Sequence, residues 1–177
     1  SPPVLFLTRF LDDVFGFWGG DFDQFQAFVS TLNHWSTSNG WKVQFTVSAF
    51  GSPAPFLDME IYWESKLHTR LFYKPTDVHA YLSPASAHPK HICRNIPIGV
   101  ALRIRRVCSQ RKVFSKFRSL FSSFFQKRGY DPAVVSKAFK KAGRISRNHL
   151  LKPKAKKSPP LGFSPFPFPF SSSLLSL

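Results

Sequence analysis

An α+β fold with helical and strand elements kept apart is the class this sequence predicts, on three observations. Apolar residues alternate through short runs in the first 77 residues, in the manner of antiparallel strands. They recur every three or four residues beyond about residue 83, in the manner of helices. The charge divides at nearly the same place: residues 1–77 carry a net −3 and residues 78–177 a net +19, with Asp131 the sole acid of the second part.

The first element is a hairpin. Val4–Phe10 and Val14–Trp18 are apolar on both sides of Asp12 and Asp13, which therefore fall at a tight turn. Adjacent carboxylates repel, and each raises the pKa of the other. A divalent cation removes that penalty, and Mg²⁺ favours hard oxygen ligands of this kind; an Asp-rich turn open to water is the plainer alternative. Next, Phe22, Phe25, Phe28, Val29, Leu32 and Trp35 mark an amphipathic helix with Asp21 as N-cap and Gly40 near its end. Trp41, Val43, Phe45 and Val47 alternate with polar residues and predict a half-buried strand. A Gly51-Ser52-Pro53 turn leads to a second hairpin, 56–63 and 67–73, closed by Glu64-Ser65-Lys66 and ended by Pro75.

Three helices should follow: Ile96–Ser109, Val113–Arg128 with a phenylalanine-rich face, and one begun by Asp131-Pro132 and ended near Gly143. Their outer faces carry Arg103, Arg105, Arg106, Arg111, Lys112, Lys116 and Arg118, interleaved with apolar residues. Such a surface suits nucleic-acid phosphates, contacted without reading base sequence. From residue 151 onward a lysine run precedes a Pro-, Phe- and Ser-rich stretch; alternating prolines forbid helix and sheet pairing, which predicts a disordered tail. The divisions expected are thus 1–82, 83–150 and 151–177. His88, His91, Cys93 and Cys108 match no common zinc spacing. Two cysteines are too few for a disulfide framework and suit a reducing, intracellular setting, nuclear or cytoplasmic. No apolar run reaches membrane-spanning length, so no membrane partner is expected.

The order of motifs carries a resemblance. Phe10-Leu11-Asp12-Asp13 is followed by Phe56-Leu57-Asp58, Tyr73-Lys74-Pro75-Thr76-Asp77-Val78-His79, Ser86-Ala87-His88-Pro89, Ile96-Pro97, Arg103-Ile104-Arg105-Arg106-Val107-Cys108 and Arg128-Gly129-Tyr130. Over roughly residues 6–150 this succession resembles Penelope-like retroelement reverse transcriptases, which are RNA-directed DNA polymerases. The resemblance implies part of a right-hand polymerase: a partial palm and primer-grip hairpin over 1–82 and a basic, thumb-like or helix-turn-helix-like bundle over 83–150. It implies Asp12 and Asp13 as catalytic, metal-binding carboxylates, Mg²⁺ as cofactor, and Tyr73, Lys74 and Tyr81 as supports for the primer end. The partners it implies are an RNA template and RNA–DNA or DNA duplex. The family places another metal-binding Asp before this motif, whereas the eleven residues before Asp12 include no acid. The chain therefore reads as a fragment that should not polymerise alone. A stand-alone nucleic-acid-binding module and a non-functional retroelement relic are the alternatives. The sequence leaves the oligomeric state open.

Overall fold

A computed structural model describes residues 4–153; the expected disordered tail lies outside the described residues except for its first three positions. Two small antiparallel sheets and five helices are seen among the described residues, so the α+β expectation holds at that level.

Strands β1 (Val4–Phe10) and β2 (Asp13–Trp18) form the first hairpin, with Phe10 opposite Asp13 and Leu7 opposite Gly16. Gly16 is needed there, because a Cβ would stand 2.7 Å from the Phe6 carbonyl oxygen. Trp18 then turns the chain into helix α1 (Phe22–Ser38): its ring packs 5.4 Å from Phe25 and 5.3 Å from Phe28. The Asp21 side chain accepts a 2.8 Å hydrogen bond from the Gln24 amide, fulfilling the expected cap.

The expected strand at 41–47 does not form; residues 41–50 have no regular secondary structure. Their backbone is satisfied by side chains of α1 in place of a neighbouring strand. Asn33 donates to the Phe45 carbonyl at 2.9 Å and accepts from the Phe45 amide at 2.7 Å, while Ser36 donates to the Val43 carbonyl at 2.8 Å. Alternating hydrophobicity specifies a strand only where a second strand supplies the ladder.

The second sheet has three strands rather than two: β3 (Ala54–Phe56), β4 (Met59–Trp63) and β5 (Leu67–Leu71), in that spatial order. Met59 faces Leu71 and Ile61 faces Thr69, and Glu60 forms an ion pair across the strands with Arg70. Helix α2 (Lys90–Val107) begins six residues before the expected Ile96, and it accommodates Pro97 in its interior. Helices α3 (Arg111–Lys127) and α4 (Pro132–Arg144) lie close to expectation, with Gly129 at φ +82° in the connection and Asp131 capping α4 through a 2.7 Å bond from Ala133. A fifth helix, α5 (Arg147–Leu151), has no counterpart among the sequence expectations.

The hydrophobic core sits among α2, α3 and α4, where Ile104, Phe125, Val135 and Phe139 are almost fully buried. Ala101 and Ala142, both inaccessible, are small enough to let α2 and α4 approach closely. The second sheet shares this core: Leu71 belongs to it, and Met59, Tyr73 and Tyr81 pack against it. Polar ties reinforce the join. Thr69 donates from its hydroxyl to the Val107 carbonyl at 2.6 Å, the Ser109 amide donates to the Thr69 carbonyl at 2.9 Å, and Tyr130 donates to the Leu82 carbonyl at 2.7 Å. Packing thus runs without a break across residue 82.

Candidate nucleic-acid interface

Asp12 occupies the β1–β2 turn and Asp13 opens β2, and both are exposed. The residue before them, Leu11, adopts φ +53°, a left-handed conformation that costs a leucine roughly 1–2 kcal/mol. Mg²⁺ asks for near-octahedral oxygen coordination. A two-metal site needs several carboxylates converging on one point. Among the described residues, no three His, Cys, Asp or Glu side chains come together as a metal set. Asp58, a carboxylate of the later motif, pairs with Arg103 at 2.8 Å. Two neighbouring exposed carboxylates do not by themselves fit the ion that the resemblance implies.

Tyr73 and Tyr81 direct their rings into an aromatic cluster on the helical core. Tyr73 meets His79 edge-on at 4.7 Å, and Tyr81 stacks on Phe125 at 4.4 Å. His79 itself is buried at φ +49°, stacked on Phe124 at 4.2 Å, with its Nε2 left without a partner among the described residues. Burial, assisted by Asp77, pushes the Tyr81 phenol up to about 12. Lys74 is exposed, while both tyrosine rings are engaged in packing.

The seven expected phosphate contacts divide into two groups. Arg103 pairs with Asp58 and so ties α2 to the β3–β4 turn. Arg105 is only 6 % exposed: it donates to the Ile145 carbonyl at 3.2 Å and lies over the Phe114 ring at 5.9 Å. Desolvation, with Arg111 and Arg147 nearby, lowers its pKa. Arg106 donates to the Leu150 carbonyl at 3.1 Å, and Arg147 returns a 2.8 Å bond to the Arg106 carbonyl. Each of these three α2 arginines commits its Nε–H to a helix end or turn; Arg105 is buried there, whereas Arg103 and Arg106 stay exposed with their remaining N–H groups uncommitted among the described residues. By contrast Arg111, Lys112, Lys116 and Arg118 on α3 are exposed and join no ion pair among the described residues.

A further basic group is missing from the sequence expectations. Lys137, Lys140, Lys141 and Arg144 are exposed on α4, opposite its buried residues Val135, Ala138, Phe139 and Ala142. Their i, i+3, i+4, i+7 spacing was available as a signal of one helix face. The thiols of Cys93 and Cys108 are free and buried, and burial raises the pKa of Cys108. Among the described residues, no helix is long and apolar enough to cross a membrane.

Residues 80–140 match the family model described as an animal helix-turn-helix domain; they cover α2, α3 and most of α4. Neither a curated protein nor a solved structure matches the chain. The recognised part of this chain is therefore its helical body.

Proposed function

We propose that the helical body binds nucleic-acid duplex, chiefly through phosphates. The observation that carries this reading is the coincidence of the helix-turn-helix match with the half of the chain bearing a net +19 charge. A surface so short of acids gains affinity by releasing the counterions condensed on a polyanion. The experiment is a titration of fluorescently labelled RNA–DNA hybrid and DNA duplex with the full chain at increasing salt. The logarithm of the binding constant should fall linearly with the logarithm of salt concentration. Undetectable or salt-insensitive binding would sink the reading.

A second, finer reading is favoured by the β1–β2 hairpin, which carries Asp12 at its turn and is followed directly by a helix. In that reading the chain is a piece of a Penelope-like reverse transcriptase. Residues 4–50 belong to the palm, the β4–β5 hairpin faces the primer, and the helices hold template and primer. Asp12 and Asp13 would then offer two of the carboxylates for Mg²⁺, which would supply charge neutralisation for phosphoryl transfer. The donor set described above is incomplete for that purpose, so the chain alone should not extend a primer on an RNA template with Mg²⁺ present. Incorporation abolished by Asp12→Asn would show instead that it does.

A further inference from the structure

We infer that the main phosphate-binding surface lies on α4, formed by Lys137, Lys140, Lys141 and Arg144. This deepens, and rests on, the reading of the helical body as a nucleic-acid binder. It names a helix face that lies outside the seven basic residues the sequence singles out.

Geometry supports this first. With 3.6 residues per turn, the four side chains fall within an arc of about 100° on the side opposite the α4 core residues. They run about 10 Å along the helix axis. Ala133, Ser136 and Ile145 lie among them on the same open surface. On α3 the bases divide between two directions, Arg111 with Arg118 and Lys112 with Lys116 and the distant Lys127, so that helix gathers no four bases within one short stripe.

Electrostatics points the same way. None of the four joins an ion pair among the described residues. Asp131, the sole acid after residue 77, is spent at the opposite end of the helix as its N-cap. The buried Arg105 guanidinium is bound to the carbonyl of Ile145, at the C-terminal end of α4, and it has no carboxylate partner among the described residues. Its charge adds to the positive potential at that end of the helix. Stabilisation of the helix macrodipole accounts for basic residues in the last turn, Lys141 and Arg144. It does not account for Lys137 and Lys140, further back along the helix.

The ligand class is a polyanion with closely spaced phosphates, and the favoured form is duplex nucleic acid, because the helix-turn-helix match covers most of α4. The test compares the full chain with two quadruple variants, K137Q/K140Q/K141Q/R144Q on α4 and R111Q/K112Q/K116Q/R118Q on α3, using labelled RNA–DNA hybrid at several salt concentrations. The α4 variant should bind roughly ten-fold or more weakly, with its salt slope reduced by about 0.9 for each phosphate it no longer neutralises, and the α3 variant should be weakened less. Full binding by the α4 variant, with weakened binding by the α3 variant, overturns the α4 assignment while leaving duplex binding intact. Failure of the unaltered chain to bind overturns duplex binding itself. Amine-reactive labelling of the unaltered chain gives a readout independent of variant folding: duplex should shield Lys137, Lys140 and Lys141 more than Lys112 and Lys116, and the reverse order overturns the assignment.

Discussion

The first fifty residues and the helical body are both rich in apolar sequence, yet they use it in opposite ways. Between residues 4 and 50 the sole buried residue is Ser36, while Leu5 is 75 % exposed and Trp41 60 %. In the helical body Phe125, Ala101 and Ala142 are completely inaccessible. The difference lies in layering. Helices α2, α3 and α4 cover one another and the β4–β5 hairpin, so each apolar stripe meets another. The β1–β2 hairpin and α1 meet each other largely at one corner, through Trp18, Phe25 and Phe28. Amphipathic pattern forms an element; burial requires a second layer.

If that contrast is right, substitutions in the core should have the largest effect. Phe125→Ala should destabilise the chain by about 3–5 kcal/mol in denaturant unfolding, since the ring stacks on Tyr81 and contacts Tyr130. Next comes Arg105→Met, which keeps the stem but removes the bond to the Ile145 carbonyl, and should cost about 2 kcal/mol. A loss under half of that would mean the arginine is not the fastening it resembles in the structure. An effect confined to alkaline pH involves Tyr81. Its folded pKa is raised, so the stability it contributes is complete below its unfolded value of 10 and is lost as pH rises through about 12. Phenolate absorbance read together with unfolding should show tyrosine ionisation delayed, since burial also raises the pKa of Tyr62 and Tyr130, with Tyr81 among the late groups and the midpoint falling across that window.

Smaller effects compare the two helix caps. Asp131→Ala should lower global stability by about 1 kcal/mol, because α4 belongs to the core. Asp21→Ala should loosen α1 alone, seen as faster amide exchange there with the denaturation midpoint unmoved. Smallest of all, Leu5→Ala should change stability by no more than about 0.5 kcal/mol, as its side chain is mostly in water. A larger loss would mean that the hairpin is covered in solution.

Local chemistry was legible where the signal and its consequence lie within a few residues. Asp21 and Asp131-Pro132 announced helix starts, and the phenylalanine spacing of α3 announced its buried face. The strand expected at 41–47 failed because its fate depends on Asn33 and Ser36, whose side chains take the hydrogen bonds a ladder would have used. The first turns of α2 are hard to read because Lys90, His91, Arg94 and Asn95 break the apolar period there and the N-cap, Pro89, makes no side-chain cap bond. At the candidate interface, sequence shows which residues are basic but not which are already spent. Arg105 and Arg106 bind carbonyl groups some forty residues away, and those partners belong to any residue type. The α4 stripe was readable from its spacing, yet it sits beside no aromatic block to draw attention to it.

Native-state amide hydrogen exchange on the full chain tests the contrast between the two regions most directly. Helices α2, α3 and α4 and strand β5 should exchange together and slowest, through global unfolding, while β1, β2 and α1 exchange through cheaper local openings. Protection of β1, β2 and α1 equal to that of α2–α4 would contradict it.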